Sequence, residues 1–126
     1  MSRVKIEVEF LLKASPTIVY SFLTAPACLV RWFCDAVDIE GTTFSFDWQG
    51  FIQYAELVMD IEDELLRFEW KEHDYEDEYL EYRISTSPVT NETILTITDF
   101  CDDDEVDSQK ALWDAQIKTM KAEMGA

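Results

Sequence analysis

Few side chains in this sequence have the reach to do chemistry. His73 is the single histidine of 126 residues and stands in Glu72-His73-Asp74-Tyr75-Glu76-Asp77-Glu78. A histidine among carboxylates has the parts of a metal site or a general base. Base catalysis also needs a positioned partner and a pocket, and no second histidine or suitably spaced cysteine supplies one. The segment reads as a charged, solvated connection. The run Asp102-Asp103-Asp104-Glu105-Val106-Asp107 is rich enough in oxygen for weak calcium binding, but it lacks the mid-loop glycine and final glutamate of an EF-hand. It reads as the capped start of a helix, where negative charge is favourable. Cys28, Cys34 and Cys101 have no histidine nearby in sequence, and no Gly-x-Ser-x-Gly, phosphate loop or dinucleotide fingerprint is present. Cys28 and Cys34 read as small buried hydrophobes. The expectation is no catalytic residue, no metal and no cofactor.

Aromatic residues are the more informative set. Phe22, Trp32, Phe46, Trp48, Tyr54, Phe68, Trp70, Tyr82 and Trp113 come from every region of the chain, and Ile117 lies one helical turn from Trp113. These ten are the candidate ligand-binding residues. Either they line an apolar pocket with a few polar groups, or they fill the core of a small domain. Tyr54 and Tyr82 are candidates to offer a hydroxyl to a ligand. Arg67 and Arg83 have opposite parity to Phe68 and Tyr82, so they are expected to face outward and pair with acids such as Glu69 or Glu81. A single bulge would invert any such parity.

The elements that carry these residues follow from hydrophobic period and turn chemistry. Val4, Ile6, Val8, Phe10 and Leu12 alternate with polar residues and form a strand. Ser15-Pro16 then pairs a capping residue with a first-turn proline, starting a helix whose apolar stripe is Ile18, Val19, Phe22 and Leu23. Pro26 ends it, and a second short helix is expected over 27–33. Six strands follow: 36–40, 43–48, 51–60, 65–71, 79–86 and 92–100, joined by tight turns as in an antiparallel meander. A final helix, capped by Asp107 or Ser108, places Leu112, Trp113, Ile117, Met120 and Met124 at helical spacing. About 16 residues would make it roughly 24 Å long, enough to cross a twisted sheet.

Composition narrows the function classes. With 27 acidic and 10 basic residues the net charge is −17, which repels phosphate backbones and anionic bilayers. Nucleic acid is not an expected partner. No stretch approaches the ~20 apolar residues that span a bilayer, so membrane insertion is not expected either. A basic protein partner suits such a surface, and so does plain solubility. No signal peptide is read at the N-terminus, and three unevenly spaced cysteines fit a reducing, cytoplasmic setting.

Element order and three segments resemble a known family. Phe10-Leu11-Leu12-Lys13-Ala14-Ser15-Pro16 through Thr24 resembles its strand entering a Ser/Pro-capped helix. Pro26 through Arg31-Trp32-Phe33 resembles its aromatic-ended second helix, and the Trp113 helix resembles its terminal helix. The pattern resembles the START-like helix-grip fold of the SRPBCC superfamily, in the branch of small bacterial homologues of the heat-shock chaperone ATPase activator. The resemblance implies an α+β fold: a curved seven-stranded antiparallel sheet around a long C-terminal helix, in the order β-α-α-β-β-β-β-β-β-α, as one domain over residues 1–126. It implies a cavity between sheet and helix and little about chemistry. The functional expectation is a non-enzymatic domain that binds a hydrophobic small molecule or lipid there. The alternatives are a co-chaperone or protein-interaction module acting through its acidic surface, and, third, a cyclase-like or hydrolase-like enzyme. A cavity above ~300 Å³ favours the first.

Overall fold

The computed structural model describes residues 2–71 and 77–125. The reading of His73 falls outside that set. In chain order the elements are β1 (Arg3–Leu12), α1 (Pro16–Thr24), α2 (Pro26–Leu29), β2 (Ala36–Glu40), β3 (Thr43–Trp48), β4 (Phe51–Ile61), β5 (Leu65–Trp70), β6 (Leu80–Thr86), β7 (Thr93–Asp102) and α3 (Val106–Met124). This is the order expected from the sequence. The seven strands form one sheet ordered β1-β7-β6-β5-β4-β3-β2, with every neighbouring pair antiparallel. β2 to β7 are a meander, and β1 returns to lie beside β7, which leaves β1 and β2 as the two edges.

Alternation sets the inner face. Phe44 and Phe46 of β3, Leu66 and Phe68 of β5, Leu80, Tyr82 and Ile84 of β6, and Leu95 and Ile97 of β7 all join one buried cluster. Trp113, Ile117 and Met120 of α3 complete it, so the last helix lies over the concave side of the sheet. Val19, Phe22 and Leu23 of α1 close one end, whereas Ile18, expected in that stripe, is exposed. Ser15 caps α1 as read from the sequence: its hydroxyl accepts the Ile18 N–H.

Two local expectations need correction. The second helix is one turn long rather than seven residues. Past Leu29 the chain tightens, with the Phe33 and Cys34 N–H groups both donating to the Leu29 carbonyl. That turn swings Trp32 inward, where its indole N–H donates to the Phe22 carbonyl at 2.8 Å. The last helix is 19 residues long, about 28 Å by its rise. It begins two residues earlier than Ser108 because the Glu105 carbonyl already accepts the Gln109 N–H. Ser108 donates back to that same carbonyl, and Glu105, at the cap position, makes no side-chain capping bond. β4 also carries a bulge between Leu57 and Met59. Leu57 pairs with inward Phe68, but two residues on, Met59 pairs with outward Arg67, so the parity of β4 inverts along its length.

Candidate functional site

The site begins where two strands part. β5 and β6 pair only from Leu65–Arg83 to Phe68–Leu80. β5 continues to Trp70 on the β4 side alone, through Ala55–Trp70 and Glu56–Glu69. Beyond Phe68 the sheet therefore opens between Trp70 and Tyr79. Under that opening, against α3, lies a groove of about 580 Å³. Its volume falls within the ~300–1,000 Å³ of small-molecule sites.

Its walls are aromatic. The β3–β4 hairpin supplies Trp48, at the neck of a two-residue turn in which Gln49 and Gly50 both have positive φ, 55° and 88°. That left-handed pair suits the twist of a tight hairpin. The Asp35 and Asp47 carboxylates accept the Gln49 and Gly50 N–H groups, each at 2.7 Å, and fix the turn. The Trp48 indole N–H donates to the Phe33 carbonyl at 2.6 Å. Trp70 stands 6.4 Å from Trp48, ring centre to ring centre. Phe33 stacks toward Trp113 at 6.5 Å and 17°. Leu112 of α3 also faces the groove and is 50% exposed. An apolar side chain that lines a groove yet stays half in solvent is unpartnered apolar area.

The polar groups are few and placed. Asp99 of β7 pairs across from Ile6 of β1 and points inward, toward α3. Its Oδ2 accepts the Trp113 indole N–H at 2.9 Å and a Gln109 side-chain N–H at 2.8 Å, and its Oδ1 accepts the Phe100 N–H at 2.8 Å. Burial, and then the charge of Asp99, pushes the neighbouring Tyr82 phenol well above its ordinary range. At the far end Arg3 grips both oxygens of Glu78, at 2.9 and 2.6 Å, and reaches Asp102 at 3.2 Å. The Glu78 bonds above all hold the Arg3 proton more tightly than usual. Gln53 and Gln116 add neutral amides to the lining.

Of the ten residues singled out in the sequence, Trp48, Tyr54, Trp70 and Trp113 line the groove. Phe22, Trp32, Phe46, Phe68, Tyr82 and Ile117 are buried in the core beneath it. The rings thus divide, some filling space and some bounding it. Tyr54 contributes from the rim: it pairs with Ser45, opposite in parity to inward Ala55, and is exposed. Arg67 and Arg83 face outward as expected, and Arg67 donates to Glu81 at 2.6 and 3.0 Å. Arg83 lies 3.6 Å from the same carboxylate.

Sequence reasoning passed over Asp99, Gln53, Phe33, Arg3 and Glu78. For Asp99 a signal existed: Leu95, Ile97 and Asp99 share one parity, which marks an inward carboxylate. For Arg3 and Glu78 none did, since 75 residues separate the partners.

The cysteines and the acidic run are not among the residues described as lining the groove. Cys28, Cys34 and Cys101 are unpaired. Burial first, and then Asp35 and Asp47, pushes the Cys34 thiol up to about 11. Burial likewise raises Cys101. Carboxylate oxygens of Asp102, Asp104 and Glu105 lie within 4.8 Å of one another, and hydrogen bonding with Asp102 raises the Glu105 carboxyl. Among the described residues no helix is long and apolar enough to cross a membrane.

Comparison with known proteins places this geometry. The fold matches the solution structure of BfR322 from Bacteroides fragilis at TM-score 0.70 with 32% identity, covering 98% of this chain and 93% of that one. The structure of the Aha1 dimer from Colwellia psychrerythraea matches at TM-score 0.80 and 20% identity, covering 94% and 93%. DynU16, a protein in the dynemicin biosynthetic locus, matches at TM-score 0.78 and 18% identity, over 97% of this chain and 47% of that one. No curated protein sequence matches the chain. The model of the START-like superfamily domain matches residues 1–126. The chain is therefore a member of the START-like superfamily, with the helix-grip arrangement of SRPBCC proteins.

Proposed function

We propose that the domain is a non-enzymatic binder of a hydrophobic small molecule or lipid, held between the concave face of the sheet and α3. The observation that carries this reading is the groove of about 580 Å³ walled by Trp48, Trp70, Trp113 and Phe33, with Leu112 half exposed over it. Exposed apolar area in a concave site gains free energy when an apolar guest removes it from water. Three unpaired thiols support a cytoplasmic setting.

The test is titration with a solvent-sensitive hydrophobic fluorophore and with single-chain lipids, read by tryptophan quenching. Saturable one-to-one binding that Leu112→Trp weakens about tenfold is the expected result. Non-saturating binding, or binding indifferent to Leu112→Trp, would overturn the reading.

A further inference from the structure

Resting on that reading, we infer that the groove selects a flat aromatic ligand carrying a positively charged nitrogen, which sits against the indole faces and turns its N–H toward Asp99. Two independent features converge on this chemistry. The first is the wall. Trp48, Trp70 and Trp113 line the groove, and an aromatic face is electron-rich, attracting a cation placed over it. A flat guest also matches ring-lined walls better than a flexible acyl chain, because rigid surfaces lose little freedom on contact.

The second feature is the charge inside. The described lining contains two carboxylates, Asp99 and Glu78, and one cation, Arg3. Arg3 is already committed to Glu78 through two bonds and to Asp102 through a third. An incoming carboxylate or phosphate would meet Asp99 with no lysine, histidine or uncommitted guanidinium among the described lining residues. Asp99 itself has capacity left. Its Oδ2 accepts two bonds, but its Oδ1 accepts one, from Phe100, and a carboxylate oxygen takes two. The Trp113 and Gln109 donors hold the carboxylate in place, so the remaining lone pair has a fixed direction. A donor that carries charge makes the stronger bond there. The surrounding net charge of −17 adds to the same selection from outside.

The experiment uses three fused-ring probes of similar shape: proflavine as the cation, acridone as the neutral form and anthracenecarboxylate as the anion. Each is titrated against the intact chain at neutral pH, in about 0.15 M and about 1 M salt, where screening lengths are ~8 and ~3 Å. Proflavine is expected to bind at least ~10-fold tighter than anthracenecarboxylate, and to keep most of that margin at high salt because the contact is direct. Asp99→Asn, which keeps the shape and one acceptor, is expected to reduce the margin to about threefold or less. Gln53→Lys leaves Asp99 and its donors intact, and is expected to weaken proflavine and favour the anion. Equal binding of cation and anion, a margin unchanged in Asp99→Asn, or a margin that vanishes in salt would each overturn the inference while leaving the binding site standing. Failure of all three probes to bind would overturn the site itself.

Discussion

Trp113 donates its indole N–H to Asp99 Oδ2 at 2.9 Å, joining the middle of the last helix to the last strand beside the groove. Gln109, one helical turn earlier, donates to the same oxygen. Asp99→Ala removes the acceptor from both donors. An unsatisfied group in a mostly buried setting costs ~1–3 kcal/mol, so the unfolding midpoint should fall by roughly 3–9 °C for a domain of this size. Asp99→Asn, which keeps an acceptor oxygen, should fall by less than half of that. Thermal unfolding followed by circular dichroism checks both.

The outer face has its own polar device. Glu81 is only 6% exposed, and Arg67 holds one of its oxygens at 2.6 and 3.0 Å. The same guanidinium lies 4.0 Å from the centre of the Tyr79 ring. Arg67→Ala leaves Glu81 with Arg83 alone at 3.6 Å. The expected loss is ~1–3 kcal/mol, read as a lower urea midpoint at unchanged slope. Arg83→Ala, at the exposed end of the trio, should change stability by less than ~0.5 kcal/mol.

Leu112 separates binding from folding. It is half exposed, so Leu112→Ser should shift unfolding free energy by no more than ~0.5 kcal/mol. Its contact with a guest is lost all the same, and affinity for an apolar probe should fall about 3–10-fold. Parallel denaturation and titration of the variant would show one quantity moving and the other still.

Alkaline pH should weaken the fold. Burial raises the Cys34 thiol to about 11 and raises the Tyr82 phenol as well. Both groups ionise more readily once unfolded: the Cys34 contribution is complete below the ordinary thiol value of ~8.5 and is lost as pH climbs to about 11, while that of Tyr82 starts to be lost only above the ordinary phenol value of ~10. Urea midpoints measured across that interval should decline, and less steeply in Cys34→Ala. By the same burial, iodoacetamide at mildly alkaline pH should modify Cys34 and Cys101 far more slowly in the native protein than in denaturant.

Element order was legible in the sequence because period two survives in nearly every strand, whereas the concave face was not, since the bulge in β4 inverts its parity. Thr43–Trp48 shows the period: its three aromatics repeat at alternate positions and nothing local competes. Helix ends were less legible. Asp107 and Ser108 have the chemistry of a cap, but the backbone had already turned at Glu105, a choice made by how β7 delivers the chain. The candidate site was legible by residue type and not by depth. Phe46 and Trp48 have the same parity and similar chemistry, yet Phe46 is buried in the core and Trp48 bounds the groove. What separates them is the parting of β5 from β6 past Phe68, a feature of strand pairing that no single segment encodes.

The sheet begins at β1 and ends at β2, and an open strand edge is a template onto which another chain can add. Here both templates are fenced. β2 exposes Asp38 and Glu40, and β1 exposes Lys5, Glu7 and Glu9. Two molecules aligning β2 against β2 would bring like carboxylates into register over a five-residue strand. Pairing through that edge must therefore work against repulsion among the Asp38 and Glu40 carboxylates. The barrier belongs to ionised carboxylates alone. Salt near ~1 M, which screens exposed charges beyond ~3 Å, lowers it, and there edge-to-edge pairing has its opportunity.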